Sequence, residues 1–193
     1  MIFSQRKDQA VLVVDLGSGT APVSVSELKE WARIARDDED QTIGLLVAAA
    51  TSAVEAATGL ALSRRQFRLV VEKRPRDGVI GAAKRPVVSV DAVVGTGFDG
   101  AEIDFDPAVD AEISADGSAI KLSSSVWAAS PNGVQATVTA GLLPDEVPAG
   151  ARHAILVAAA SWLETRTAVD SGARPVLPNA ELRLVRSLKT VRI

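Results

Sequence analysis

The sequence predicts an α+β fold, a small bundle of about four helices with an inserted antiparallel β module. Three observations carry that reading. Two alanine-rich stretches of helical texture, LLVAAATSAVE from Leu45 and ILVAAASWLE from Ile155, stand on either side of the chain's middle. Between Arg64 and Gly141 the apolar period changes from helical to alternating, with glycines at 95, 97, 100, 117 and 133 marking turns. The 193 residues, 47% hydrophobic and 23% charged, suit a soluble globular chain that can bury a core. The expected organisation is an N-terminal extension at 1–22, a helical domain made of 23–62 and 145–180, a β module at 63–144, and a separate C-terminal tail at 181–193.

The first element is a strand at Val11 to Asp15, and the glycines that follow it, in DLGSG, are how many nucleotide-binding folds begin. An S-adenosylmethionine-dependent methyltransferase is therefore the first reading to test. The third glycine of the fingerprint is missing, with Ala21 near its place, and Pro22 follows where a helix should open. Ser24-Val25-Ser26-Glu27 reads as a capping box, starting a helix that is expected to run to about Arg36. After the acidic run Asp37 to Asp40, Ile43, Leu46, Val47, Ala50, Val54 and Ala57 keep helical spacing up to a Thr58-Gly59 stop. The acidic run there compensates the positive end of the helix dipole.

Five or six short strands follow, carrying Phe67, Leu69 and Val71; Val88, Val90 and Ala92; Ile103 and Phe105; Ile120 and Leu122; and Val134, Ala136 and Val138. No amphipathic helix is expected from 64 to 141. That argues against the methyltransferase, whose doubly wound sheet needs alternating strand and helix units. Helices resume after Pro148, with Ile155, Ala158, Ala159, Trp162 and Leu163 on one face up to about Thr167, and Trp162 is the expected core anchor. Gly172 to Asn179 is a loop, and a last helix from about Ala180 carries Leu182, Val185 and Leu188.

Little in the chain suggests catalysis. Without cysteine there are no disulfides, thiolate metal sites or thiol nucleophiles. The one histidine, His153, has no tyrosine, cysteine or second histidine to work with. The aspartates at 99, 104, 106 and 110 lack the order of a calcium loop, and no phosphate-loop, HExxH or GxSxG motif occurs. No cofactor or metal is expected. The apolar runs are too short to span a bilayer, and the N-terminus does not read as a secretory signal, so no membrane partner is expected.

The charge layout is more informative than the net charge of −3. Arg64, Arg65, Arg68, Lys73, Arg74, Arg76, Lys84 and Arg85 stand against only Glu72 and Asp77, whereas Asp91, Asp99, Glu102, Asp104, Asp106, Asp110, Glu112 and Asp116 form a stretch with no cation. Two opposed zones in one module suit subunits joining head to tail, with Arg64, Arg65 and Arg68 on one side and Asp104, Asp106 and Asp110 on the other.

Four segments in order, VSVSELKEWARI, DDEDQTIGLLVAAATSAVEAATGLAL, KRPVVSVDAVV and TAGLLPDEVPAGARHAILVAAASWLETRT, resemble the head-tail connector, or adaptor, proteins of tailed bacteriophages and phage-like gene transfer agents. The matching points are Arg33-Ile34, Thr58-Gly59, the strand led by Pro86, and the helix after Val147-Pro148 that ends at Trp162 and Arg166. The resemblance covers residues 23 to 168 and leaves the first 22 without a role. It implies a structural virion protein made in the bacterial cytoplasm. Its copies would form a ring of about twelve at the neck, bridging the portal to a tail-side head-closure or stopper protein. Double-stranded DNA would pass through the ring without sequence readout. Connector C-termini commonly meet the portal, so Arg183, Leu184, Arg186, Leu188, Lys189, Val191, Arg192 and Ile193 are the expected portal contacts. The alternatives from other classes are an S-adenosylmethionine-dependent methyltransferase and a β-rich tail-assembly protein.

Overall fold

The computed structural model describes residues 11–17 and 19–165. In chain order the elements are β1 (Val11–Asp15), α1 (Val25–Ala32), α2 (Asp40–Thr58), β2 (Arg65–Val71), β3 (Val79–Gly81), β4 (Val87–Thr96), β5 (Glu102–Phe105), α3 (Pro107–Asp110), β6 (Ala111–Ile113), β7 (Ala119–Leu122), α4 (Ser124–Ala129), β8 (Val134–Ala140) and α5 (Ala149–Thr165). They form two compact units. One joins the described residues up to Gly19 with Arg64–Gly141, and the other joins Thr20–Ser63 with the described residues from Leu142.

The helical unit is built from α1, α2 and α5. Ser24 opens α1 with the expected capping box, its hydroxyl accepting from the Glu27 N–H at 3.1 Å while the Glu27 carboxylate accepts from the Ser24 N–H at 2.8 Å. That backbone bond holds the Glu27 carboxyl below its ordinary range. Arg152 reaches across from α5 to the same carboxylate and donates to the Pro22 carbonyl at 2.7 Å. The helix stops at Ala32, short of the expected Arg36. Arg33 turns left-handed at φ 55°, and the Ile34 N–H folds back onto the Lys29 carbonyl at 2.9 Å, bringing Ile34 against the core.

α2 ends as expected at Gly59, whose φ of 74° suits the left-handed cap. Just before it, the buried Glu55 carboxylate accepts from the Leu62 N–H at 2.8 Å and ties the exit loop to the helix. α5 contributes Ala151, Ala154, Ile155, Ala158 and Ala159 to one buried cluster with Leu28, Ile43, Val47, Ala50, Val54 and Leu62. Small side chains along α2 and α5 let the two backbones approach closely. Trp162 is half-buried and packs against this cluster. Among the described residues the unit has three helices rather than about four, since the helix expected from Ala180 lies outside them.

The β unit holds two antiparallel sheets, one of five strands in the order β1-β2-β8-β4-β5 and one of three in the order β3-β7-β6. Alternation places Phe67, Leu69 and Val71 of β2 with Val134, Ala136, Val138 and Ala140 of β8 on the buried face. β1 runs antiparallel to β2, from Val11 opposite Val71 to Asp15 opposite Phe67. The glycine turn after Asp15 therefore follows an antiparallel edge strand, not the parallel strand of a dinucleotide fold, and residues 11–15 extend the sheet.

The helix-free expectation for 64–141 needs correction, because two short helices interrupt the strands. Asp106 caps α3 by accepting from the Ala108 N–H at 3.0 Å, with Pro107 in the first turn, and Ser123 caps α4. Both are too short to leave a periodic apolar trace. The small three-stranded sheet likewise divides what alternation alone presents as a single module.

Candidate functional site

The strand-borne members of the two charge zones fall at different places on the five-stranded sheet. Arg65 and Arg68 lie on β2, beside the β1 edge, and Asp104 lies on β5 at the far edge. β8 and β4 stand between, so the zones are about 14 Å apart at ~4.8 Å per strand.

The expected interface residues differ in what already engages them. The Arg65 Nε donates to the Asp15 carboxylate at 2.8 Å, and its guanidinium lies 4.8 Å from the centre of the Phe67 ring, which leaves its side chain only 13% exposed. Arg64 donates to the Gly141 carbonyl at 3.3 Å. Asp106 caps α3, and Asp110 accepts from the hydroxyls of Ser123 at 2.6 Å and Ser125 at 3.1 Å. Arg68 and Asp104 are exposed on their strands.

Asp91, counted by sequence with the acidic zone, belongs elsewhere. Its carboxylate accepts from Thr139 at 2.6 Å, Ser89 at 2.7 Å and Gln66 at 3.0 Å, forming a polar row across β4, β8 and β2. Partial burial raises its pKa, but the three hydrogen bonds outweigh that and hold it below the usual value. The acidic run before α2 is also more specific than dipole compensation, because Asp37 and Asp40 both bind Lys29, the latter at 2.7 Å, and raise its pKa.

Residues missed by charge and periodicity are the exposed apolar ones. Leu12, Val14 and Leu16 are solvent-facing on or beside β1, Phe98 is 86% exposed in the β4–β5 turn, and Val109 is 78% exposed on α3. The signal for β1 was present, since VLVVD is apolar on both faces of the strand and a half-buried edge strand should alternate.

Sites for chemistry are sparse among the described residues. No group of three or more His, Asp or Glu side chains could hold a metal ion. A depression bordered by Val79, Glu112, Ser114, Ile120 and Lys121 has room for about one water. His153 is exposed and makes an edge contact with Trp31, ring centres 5.3 Å apart. No described helix is long and apolar enough to cross a membrane. The expected portal contacts from Arg183 to Ile193 lie outside the described residues.

Searches of family models and of curated proteins find no match. Solved structures do match over nearly the whole chain. The fold is that of a gene transfer agent neck chain. A chain in the neck of an empty gene transfer agent particle, computed with C6 symmetry, superposes with a TM-score of 0.74 at 22% identity, covering 94% of this chain and 97% of that one. A chain from the virion of a native gene transfer agent particle gives 0.75 at 20% identity with the same coverage. One from the neck of a native particle, computed with C12 symmetry, gives 0.69 at 21%, again with the same coverage. All three belong to gene transfer agent particles.

Proposed function

We propose that this chain is a structural neck protein of a phage-like particle, its copies forming a ring between the portal and a tail-side closure component. The carrying observation is the fold likeness over 94% of the chain to neck chains of gene transfer agent particles. A twelve-membered ring is compatible with both the C6 and the C12 symmetry of those necks, since sixfold symmetry is contained in twelvefold. Such a ring would extend the DNA channel without reading sequence. The cationic and apolar residues from Leu182 to Ile193 would form the portal contact, offering a partner both charge and apolar surface.

The test is complementation. Particles assembled without this chain should accumulate as DNA-filled heads lacking tails, and adding the purified chain should restore tail attachment. Normal tailed particles in its absence would overturn the reading. A chain lacking Leu188 to Ile193 should keep its melting behaviour yet fail to join tails, and tailed particles from it would remove the portal role from that segment.

A further inference from the structure

The five-stranded sheet ends in two edges of opposite character, and no strand among the described residues covers either one. The Leu16 N–H donates to the Gln66 carbonyl at 3.0 Å, which makes 16 and 66 a hydrogen-bonded pair in the β1–β2 ladder. Strict alternation then turns the N–H and C=O groups of Val11, Val13 and Asp15 away from β2. On the other side the Gly97 N–H donates to the Ala101 carbonyl at 2.9 Å, so the same count turns the backbone groups of Glu102 and Asp104 away from β4. Both edges therefore offer main-chain donors and acceptors.

Their outer-face side chains differ, apolar on β1 with a cation one strand behind it, and acidic on β5. At the β1 edge stand Leu12, 63% exposed, and Val14, 39% exposed, with Arg68 directly opposite Val14. At the β5 edge stand Glu102 and Asp104. Isolated edges are usually blunted by lysine, proline or a bulge, and β1 has none of these. β1 therefore leaves apolar side chains and main-chain groups open to a further strand, and with an acidic β5 edge beside it Arg68 would stand about 9.6 Å away by strand spacing, within reach of its long side chain.

We propose that a second copy of this chain covers the β1 edge with its β5 edge, so that the sheet continues from subunit to subunit. β1 and β5 run in the same direction through the sheet, so this continuation pairs them in parallel and keeps Arg68 and Asp104 on one face. The contact is heterologous, as a closed ring requires. It rests on the ring reading above, and it names the strands by which the ring is joined.

Cysteine cross-linking tests it, because the chain has no cysteine of its own. Leu12 and Asp104 share one row on the outer face, four strands apart, about 19 Å by strand spacing, and no disulfide can close that span within a copy. The Leu12→Cys, Asp104→Cys double variant, oxidised while assembled, should give a ladder of covalent oligomers on a non-reducing gel. Either single variant should give none. Val13→Pro, which removes an outward N–H that β2 does not use, should weaken association about tenfold with melting unchanged. Arg68→Glu should weaken it most at low salt, where screening is least, with partial recovery when combined with Asp104→Arg. An assembled double variant with no ladder overturns the edge contact and leaves the ring standing. A wild-type chain that stays monomeric by light scattering, alone and with portal-bearing heads, overturns both.

Discussion

Gly95 shows how single residues set the β unit's geometry. A Cβ built there would sit 1.7 Å from the Ser130 Oγ and 2.9 Å from the Phe105 ring, so β4 must carry glycine where α4's exit and β5 close over it. Gly95→Ala is expected to cost ~1 to 3 kcal/mol as overpacking, read as a lowered denaturation midpoint with an unchanged slope. Asp116 makes a separate prediction in the β6–β7 turn. The Ser114 hydroxyl donates to it at 2.7 Å and the Ser118 N–H at 3.1 Å, and these bonds, Ser114's first, lower its pKa to about 2. A depressed carboxyl contributes stability above its unfolded value near 3.8, and that contribution is lost as pH falls from there through about 2. Because the side chain is largely exposed, the stability effect is small and the titration is the better readout. NMR should place Asp116 near 2, and Ser114→Ala should move it back toward 3.8; an unmoved titration would remove Ser114 as the cause.

At the scale of elements, what the sequence disclosed follows from how much periodicity each segment contains. α2 is long, regular and ended by glycine, so its limits were legible to within a few residues. α1 carried an equally clear start, but its end depends on Arg33 adopting a left-handed turn, which no side-chain pattern announces. α3 and α4 advertise only their caps, at Asp106 and Ser123. The charge zones were legible as composition, while the placing of Arg68 one strand from one sheet edge and of Asp104 on the other arises from strand order, which puts β8 between β2 and β4 and is set by long-range pairing. The engagement of Arg65 by Asp15 was hidden for the same reason, with the partners 50 positions apart. In α5 the structure ranks two positions: Ile155 is fully buried and Trp162 sits at the rim of the same cluster. Ile155→Ala should cost ~2 to 5 kcal/mol and Trp162→Ala less, despite the larger side chain removed. The reverse order in chemical denaturation would make Trp162 the anchor.

At the scale of the whole molecule, the two units predict separable behaviour. The helical unit leaves the chain at Ser63 and resumes at Leu142, and its own hydrogen bond from the Leu142 N–H to the Ala61 carbonyl, 3.1 Å, holds these ends together. A short Gly-Ser linker can therefore replace Arg64–Gly141 without stretching the backbone. Once the first 19 residues are also removed, the fragment keeps α1, α2, α5 and the whole cluster from Val23 to Ala159. It should fold as a helical domain with a cooperative but lower melting transition, since a smaller chain buries a smaller share of its surface. It lacks both β1 and β5, so it should remain monomeric at concentrations where the full chain assembles. Circular dichroism and light scattering check the two halves of this prediction independently. An unfolded fragment would show that the helical core depends on the β unit, and a fragment that assembles as well as the full chain would place the subunit contact on the helices instead of the sheet edges.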